Sequence, residues 1–182
     1  MVRTNLRLSG FGGQGIILAG VILARAAVEH DRIFATQTQS YGAESRGGAC
    51  TADVILSDER IDYPEPEELD VLVALSQAAL DRHVKNLLPN GTLIVDADMV
   101  PTVPVGLQAT VYRIAATQTA EAELGQRLVA NIVMLGAVTR LTGLVTVDGL
   151  IATMESSLAP HLVEINRRAI KAGVSLAERL IS

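Results

Sequence analysis

The segment LDVLVAL at residues 69–75 constrains the fold most, because every position but Asp70 is apolar. A run of this kind is typical of a strand that is buried on both faces of a parallel sheet. The composition agrees, since 49% of the residues are hydrophobic and only 3% are aromatic, so that Ala, Val, Leu and Ile must build the core. The chain is therefore predicted to be an α/β protein in which helices flank a mostly parallel sheet.

Hydrophobic patterning predicts which segments form strands and which form helices. We expect strands at residues 6–9, 33–38, 50–56, 69–75, 92–95 and 111–114. We expect helices at residues 14–30, 77–88, 127–141 and 147–158, and a last helix that begins at Pro160. The part of the chain that follows the last strand is thus predicted to be helical.

Local signals predict where several elements begin and end. Ser76 is expected to cap the helix at 77–88, and the sequence Pro-Asn-Gly at 89–91 is expected to end it. Thr119 is expected to cap a short helical turn whose acidic residues suit the helix dipole. Residues 39–48, QSYGAESRGG, lack apolar periodicity and are predicted to form a long loop.

The last predicted helix carries an apolar stripe along one side. The stripe consists of Leu162, Ile165, Ala169, Leu176 and Leu180. Because the apolar residues lie on one side only, the helix is expected to dock on the sheet or on a neighbouring chain.

Length and charge limit the classes of protein to which the chain can belong. A length of 182 residues fits one domain over residues 1–182, without a repeat or a linker. The net charge of −5 comes without a basic block, which argues against nucleic-acid binding. The N-terminus lacks the apolar core of a signal peptide, and the longest apolar run, at 16–24, is about half of the ~18 residues that a membrane span needs. A cytoplasmic protein without a membrane anchor is predicted.

A few single residues bear on metal and cofactor chemistry. The only cysteine, Cys50, excludes an internal disulfide and cannot supply the four thiolates of an iron–sulfur cluster, so it is expected to be a small buried residue at the start of a strand. His30, His83 and His161 lack metal-ligand spacing and are expected to be solvated or locally bonded. Asn131 lies in an apolar helix, where a buried amide needs hydrogen-bond partners, and is expected to tie down a loop.

A glycine-rich segment joins the first predicted strand to the first helix. Gly10, Gly12, Gly13 and Gly15 form the pattern G-x-G-G-x-G. Glycine permits positive φ angles and a close backbone approach, and the N-terminus of a helix offers free N–H groups to an anion. This context predicts contact with a phosphate or another anionic group.

Two other interpretations of the glycine segment stay open. Dinucleotide binding requires an acidic residue about 20 positions further on, at the end of the second strand. That strand ends in TQTQ at 36–39, and the acidic residues Glu29 and Asp31 precede it. In the other interpretation the glycines only let the first helix pack tightly on the sheet, and no ligand binds there.

Three segments taken together carry a family resemblance. They are SGFGGQGI at residues 9–16, QSYGAESRGG at 39–48 and RLVANIVMLGAVTRLTGL at 127–144. In combination they resemble the gamma subunits of 2-oxoacid:ferredoxin oxidoreductases, which act on pyruvate, 2-oxoglutarate, ketoisovalerate and other branched-chain oxoacids, indolepyruvate or phenylglyoxylate. The resemblance runs from about Leu6 to Ala172 and implies a Rossmann-like domain.

The resemblance also implies that the chemistry lies in partner chains. In this family the oxoacid is decarboxylated on thiamine diphosphate with Mg²⁺, and the acyl group passes to coenzyme A. Two electrons leave through [4Fe-4S] clusters to ferredoxin, or to NAD through an additional flavin subunit. The implied partners are the alpha, beta and ferredoxin-like delta subunits. No cofactor is assigned to this chain alone, and no catalytic residue, so that it is expected to be inactive by itself.

By analogy with the family, two loops would line an inter-subunit cleft that admits coenzyme A. The residues are Gly10, Gly12, Gly13, Gln14 and Gly15 in the first loop, and Ser40, Tyr41, Gly42, Glu44, Arg46, Gly47 and Gly48 in the second. Arg46 offers a fork of donors to a phosphate or a carboxylate, and Tyr41 a flat apolar face with a polar tip. Equally, Glu44 and Arg46 could pair with charges of a partner subunit. A freestanding nucleotide-binding oxidoreductase and a structural subunit with an empty glycine pocket are the alternative functions.

Overall fold

All six strands lie in the first two thirds of the chain, in a computed structural model that describes residues 3–42 and 48–182. The strands are β1 (Thr4–Phe11), β2 (Phe34–Tyr41), β3 (Ala49–Ser57), β4 (Leu69–Ala74), β5 (Leu87–Asp96) and β6 (Thr110–Ile114). The helices are α1 (Ile16–Glu29), α2 (Gln77–His83), α3 (Ala116–Ala122), α4 (Ala130–Thr142), α5 (Val147–Ser157) and α6 (Pro160–Ile181). Short 3₁₀ turns occur at Val84–Asn86 and Arg127–Val129.

The six strands form one sheet in the order β2-β3-β1-β4-β5-β6. Strands β1, β4, β5 and β6 are parallel to one another, and β3 runs against both β1 and β2. The antiparallel pairs arise because β2 and β3 follow each other through a short connection, which cannot return the chain for a parallel pairing. The predicted α/β class with a mostly parallel sheet and a helical C-terminal part is confirmed.

Strand β4 lies in the middle of the sheet and is covered on both faces. Val71 and Val73 pack into the larger apolar cluster with α1, α4, α5 and α6. Leu72 and Ala74 pack into a second cluster with α2. This alternation explains the nearly continuous apolar segment at 69–75, and the prediction made from it is confirmed.

Three predicted boundaries are wrong. The helix expected at 77–88 ends at His83, because Leu87 already pairs with Leu69 and the Pro-Asn-Gly sequence lies inside β5, with Asn90 at a φ of 64°. The loop expected at 39–48 begins later, because β2 continues to Tyr41. Thr119 lies within α3 and does not cap it, since the helix begins at Ala116.

The C-terminal helices α4 and α6 pack closely at two glycines. A β-carbon at Gly173 would overlap the carbonyl oxygen of Val133, and one at Gly136 would overlap that of Ile170. The apolar stripe predicted for the last helix is correct in the middle, where Ala169 is buried, but Leu180 at the end is 49% exposed. The helix docks mainly on α4 through small side chains.

Several single-residue predictions are confirmed. Ser76 caps α2 by accepting a hydrogen bond from the backbone N–H of Ala79 at 3.2 Å. Cys50 is buried in β3, and this burial raises the pKa of its thiol.

No helix in the described ranges is both long and apolar enough to cross a bilayer.

Candidate functional site

The glycine loop lies at the carboxyl end of β1, directly before α1. Gly13 has a φ of 96°, and Gly15, the residue that precedes the helix, has a φ of 70°. Residues with a β-carbon rarely adopt these φ angles. The backbone conformation by itself therefore favours glycine at both positions. The loop turns sharply enough to bring the N–H groups of the first turn of α1 to the edge of the sheet.

The side chain of Gln14 folds back over the loop. Its Oε1 accepts a hydrogen bond from the backbone N–H of Phe11 at 2.6 Å, and its Nε2 donates to the carbonyl oxygen of Leu75 at 3.0 Å. The side chain occupies the space that a β-carbon at Gly10 would need. Gly10 therefore makes room for an internal contact, and Gln14 joins the ends of β1 and β4.

Asn131 at the start of α4 holds the other end of the glycine loop. Its Nδ2 donates to the carbonyl oxygen of Gly15 at 3.1 Å and fills the space beside that residue. The prediction that Asn131 ties down a loop is confirmed. Its Oδ1 is buried and has no hydrogen-bond partner in the described part of the chain.

The second predicted loop begins beside the first. The backbone N–H of Gly12 donates to the carbonyl oxygen of Gly48 at 2.9 Å. The backbone N–H of Gly42 donates to the carbonyl oxygen of Ala49 at 2.7 Å. Tyr41 ends β2 with its side chain exposed. Glu44, Arg46 and Gly47 lie outside the described residues, so their predicted roles stay predictions. Ser40 lies in β2 beside Thr51 of β3, one residue before Tyr41.

The two loops lie next to a topological switch point of the sheet. The chain leaves β1 into α1 on one face, whereas it leaves β4, the parallel neighbour of β1, into α2 on the opposite face. Ligands of open α/β sheets bind in the crevice at the carboxyl ends of such strand pairs. The crevice between β1 and β4 is therefore the candidate binding site.

A pocket of about 100 Å³ opens in this crevice. It is lined by Gly13, Gln14, Leu75, Thr117, Arg127, Leu128, Ala130 and Asn131. Thr117 and Arg127 also line a wider groove of about 450 Å³ towards α3. Sequence reasoning missed Thr117, Arg127 and Leu128 as lining residues, although the last two lie in the third segment of the family resemblance.

Asp96 holds the far wall of the crevice in place. The carboxylate is fully buried at the end of β5, where Oδ2 accepts from the backbone N–H of Thr117 at 3.0 Å and from its hydroxyl at 2.7 Å. The Oδ1 accepts from the N–H groups of Asp98 at 3.0 Å and Met99 at 3.3 Å. A carboxylate from β5 thus caps α3, which explains why Thr119 does not.

The groove beside the pocket carries more negative than positive charge. Asp98 and Glu121 both line it, together with Arg127. Arg127 donates to Glu121 at 2.7 Å, so part of its charge is already compensated. A multiply charged anion is therefore better placed at the glycine loop than in the groove.

Two cofactor classes fit this chain poorly. In a dinucleotide site a parallel second strand beside β1 brings an acidic residue to the ribose. Here the neighbour on that side is the antiparallel β3, and β2 lies at the edge of the sheet. No group of three His, Cys, Asp or Glu side chains in the described ranges could hold a metal ion.

A polar cluster lies on the face of the sheet that α2 covers. Arg7 forms a bidentate ion pair with Asp53, in which its Nε donates to Oδ1 at 2.6 Å and its Nη2 to Oδ2 at 2.7 Å. The Nη1 of Arg7 lies 3.3 Å from Nδ1 of His83. Burial, together with the nearby charges of Arg7 and Arg82, lowers the pKa of His83 to about 4. His83 is locally bonded, as predicted, and is uncharged at neutral pH.

Comparisons with known proteins agree with one another. The sequence profile described as pyruvate ferredoxin/flavodoxin oxidoreductase matches residues 5–176. The chain is 45% identical over 180 residues to the 2-oxoglutarate synthase subunit KorC of Methanothermobacter marburgensis, covering 96% of this chain and 97% of that protein. It is 41% identical to the gamma subunit of a keto/oxoacid ferredoxin oxidoreductase from Geobacter sulfurreducens PCA, with a TM-score of 0.84 over 97% and 99% of the two chains.

A third comparison shows the fold alone, because the sequence identity is 23%. The structure is the 2-oxoglutarate:ferredoxin oxidoreductase from Magnetococcus marinus with 2-oxoglutarate, coenzyme A and succinyl-CoA bound. The TM-score is 0.88, and the match covers 98% of this chain and 32% of that one.

Proposed function

Because the chain belongs to the pyruvate ferredoxin/flavodoxin oxidoreductase family, we propose that it is the non-catalytic gamma subunit of a multi-subunit 2-oxoacid oxidoreductase. The gamma-subunit resemblance that the three motifs predicted is confirmed by the full-length relatives. In the proposed complex this chain forms one domain over residues 1–182 and is inactive alone. The complex is cytoplasmic.

The proposed reaction is the oxidative decarboxylation of a 2-oxoacid. The oxoacid and coenzyme A give acyl-CoA and CO₂, and two electrons pass to ferredoxin or, through a flavin subunit, to NAD. The name of the 45% identical relative favours 2-oxoglutarate as the substrate. Thiamine diphosphate, Mg²⁺ and [4Fe-4S] clusters belong to alpha, beta and ferredoxin-like delta subunits, in keeping with the single cysteine of this chain.

We assign the crevice between β1 and β4 as this chain's part of the cleft that admits coenzyme A. The observation that carries the assignment is the hydrogen bond from Gly12 to Gly48, which joins the two predicted loops at the switch point. Gly12 and Gly13 are exposed there, and the first turn of α1 supplies free N–H groups for a phosphate. Arg46, a residue of the second loop, would add a guanidinium.

The structural alternative accounts for only some of the glycines. Gly10 accommodates Gln14 and Gly15 accommodates Asn131, so these two positions need no ligand. A β-carbon at Gly13 would meet open space, and its φ of 96° serves only the shape of the loop. The freestanding nucleotide-binding alternative is disfavoured by the antiparallel β3 next to β1.

Native purification tests the assembly. The chain should copurify with larger subunits that carry thiamine diphosphate, identified by mass spectrometry of the intact assembly. The preparation should show the brown absorbance of iron–sulfur clusters. A chain that purifies alone and turns over a substrate would contradict the proposed role.

Two substitutions in the assembled complex test the cleft. Gly12→Asp places a carboxylate on the exposed loop, and Arg46→Ala removes the guanidinium, so each should raise KM for coenzyme A about tenfold or more, with little change in KM for the oxoacid. Arg60→Ala, in the exposed acidic segment, is the matched control. If the complex assembles and neither variant changes KM for coenzyme A, the glycine pocket is purely structural.

A further inference from the structure

We propose that the outer edge of β2 pairs with β2 of a second copy of this chain, in antiparallel orientation, so that two six-stranded sheets become one continuous sheet. In the proposed register Thr38 lies opposite Thr38 of the second copy, and Tyr41 of each copy packs beside Ala35 of the other. The inference goes beyond the proposed function and does not depend on it, because it concerns how two copies of the chain meet and not what the complex catalyses.

The first observation is that β2 is an open edge of the sheet. It is the terminal strand, and in the described part of the chain it pairs with β3 alone. Edge strands of native proteins usually carry a charge, a proline or a bulge that prevents further pairing. The eight residues of β2, FATQTQSY, include no charged residue and no proline, and their register with β3 is continuous. The strand therefore lacks these protections.

The second observation is the direction of the backbone groups of β2. The N–H of Gly42 donates to Ala49, in register with the pairing of β2 and β3. Residues of an antiparallel strand alternate between those that bond the neighbouring strand and those whose N–H and carbonyl groups point away from it. The even-numbered residues therefore bond β3, and the odd-numbered residues point their backbone groups outward. The outward residues are Ala35, Gln37, Gln39 and Tyr41.

One two-fold register uses all four outward residues. Gln37 bonds Gln39 of the second copy, Ala35 bonds Tyr41, and the symmetry repeats both pairs. Each pair exchanges two backbone hydrogen bonds, so the contact contains about eight.

The even-numbered side chains are compatible with this register. Thr38 faces its own copy across the two-fold axis, and Thr36 faces Ser40. Pairs of threonine with threonine or serine are favourable across neighbouring strands. Because β2 carries no charge, no like charges meet at the edge.

The third observation is that the two ends of β2 complement each other. Tyr41, at the end of the strand, is 65% exposed. At the start of the strand, a groove of about 370 Å³ includes Ala35 and Val28, and Val28 is 51% exposed. The remaining lining residues of this groove are Arg32, Ile33 and Phe34. The strand thus has an exposed aromatic ring at one end and a largely apolar groove at the other.

The ring and the groove lie on the same face of the sheet. Gln37 lies beside Gly20 of α1, so the odd-numbered side chains of β2 face α1. Ala35 and Tyr41 are both odd-numbered, and the two-fold register places them opposite each other. The ring of Tyr41 in one copy therefore meets the groove beside Ala35 in the other.

This self-complementarity favours a second copy over an unrelated strand. The same four backbone positions supply both sides of the ladder, and the ring that enters the groove comes from the strand that forms the groove. Tyr41 then belongs to the contact between two copies, and not to the cleft in which the family resemblance placed it by analogy.

Two cysteine variants of the full chain test the register. The α-carbons of an antiparallel pair without backbone hydrogen bonds lie about 4.5 Å apart, which a disulfide can bridge. Thr38→Cys should therefore form a covalent dimer on mild oxidation, measured by non-reducing gel electrophoresis. Thr36→Cys is the matched control and should not cross-link, because its two copies lie four residues apart along the strands. The native Cys50 is buried.

A mixture of two single variants gives an independent check of the same register. Thr36→Cys and Ser40→Cys should each stay uncross-linked alone and should cross-link to each other when mixed. A covalent Thr36→Cys dimer formed as readily as the Thr38→Cys dimer would overturn the register.

Sedimentation of the full chain tests the pairing without a cross-link. The mass should be twice the 19.3 kDa of one chain. Gln39→Pro removes an outward N–H and leaves the bonds to β3 in place, so it should give the mass of a monomer. Gln39→Thr keeps the N–H and should remain a dimer. A native chain that sediments as a monomer at every concentration measured would overturn the proposal.

A further pair of variants tests the contact of Tyr41 with the groove. Tyr41→Ser should raise the Kd of the dimer about tenfold, because it removes an aromatic ring from an apolar contact. Leu180→Ser, at the exposed end of α6, is the control and should leave the Kd unchanged. An unchanged Kd in Tyr41→Ser would show that the ring does not enter the groove.

The same cysteine variants in the assembled complex identify the occupant of the edge there. A Thr38→Cys product that contains two copies of this chain supports the proposal. A product that joins this chain to a larger subunit would overturn the choice of a second copy. Neither result depends on KM for coenzyme A, so this inference and the proposed function can fail separately.

Discussion

The side-chain oxygen of Gln14 lies so close to Gly10 that a β-carbon there would overlap it. The Gly10→Ala variant must therefore displace the Gln14 amide from its hydrogen bonds to Phe11 and Leu75. These two bonds join the end of β1 to the end of β4. We expect a loss of about 1–3 kcal/mol in the free energy of unfolding, measured by urea denaturation.

A double-mutant cycle separates this clash from other effects of the alanine. Gln14→Ala alone should lower the free energy of unfolding by about the contribution of the two hydrogen bonds that Gln14 makes. Gly10→Ala should lower it much less in a Gln14→Ala background than in the native chain, because the amide that overlaps the new β-carbon is gone. Additive losses would show that Gly10 is required for another reason, such as the nearby Ile16 side chain.

Much of the fold could be predicted from local patterns. The segment at 69–75 indicated a strand covered on both faces, and Ser76 indicated the start of α2, because each signal acts over a few residues. Thr119 misled because the group that caps α3 is Asp96, a residue on another strand. The Pro-Asn-Gly sequence misled because β5 accommodates Asn90 at positive φ beside β4.

The candidate site was predictable in outline and not in detail. The motifs named the two loops, and the hydrogen bond from Gly12 to Gly48 brings them together. The opposite wall comes from Thr117, Arg127 and Leu128, which approach the loop only after the sheet has formed. Neither their spacing nor their chemistry marks them as pocket residues in the sequence.

The stability of the chain should depend on pH through His83. Burial and the charges of Arg7, Arg82 and Lys85 lower its pKa from 6.5 to about 4, although Asp53 acts in the opposite direction. The unfolded chain therefore takes up a proton first as pH falls. This contribution to stability is complete above pH 6.5 and is lost between pH 6.5 and about 4, by up to about 3 kcal/mol.

Urea denaturation at several pH values measures the contribution of His83. His83→Gln should flatten the loss of stability between pH 6.5 and 4, whereas His161→Gln, at an exposed position of α6, should leave it in place. An unchanged pH profile in His83→Gln would mean that other groups cause the acid sensitivity.

The contact between α4 and α6 should reverse the usual effect of alanine in a helix. Replacing a helical glycine by alanine ordinarily stabilises by roughly 0.5–1 kcal/mol. Gly173→Ala should instead destabilise by about 2 kcal/mol or more, because the new β-carbon meets the backbone of Val133 and cannot be relieved by a side-chain rotation. Thermal unfolding measures the change.

Ser175→Ala is the matched control for Gly173→Ala. It lies two residues further along α6 at an exposed position, where alanine favours the helix without a clash. A Gly173→Ala variant as stable as the Ser175→Ala variant would show that the two helices can separate at little cost.

The carboxylate of Asp96 should be required as an acceptor for the far wall of the crevice. In Asp96→Asn one oxygen becomes an amide NH2 group, which cannot accept a hydrogen bond. It would face either the donors of Thr117 or the N–H groups of Asp98 and Met99. We expect a loss of about 2–4 kcal/mol in the free energy of unfolding, because the site is fully buried and water cannot replace the acceptor. Asp98→Asn is the control. Its exposed carboxylate accepts from Gln118 at 2.9 Å, where water can substitute, so it should cost below about 1 kcal/mol. Equal losses in the two variants would show that Asp96 does not position α3.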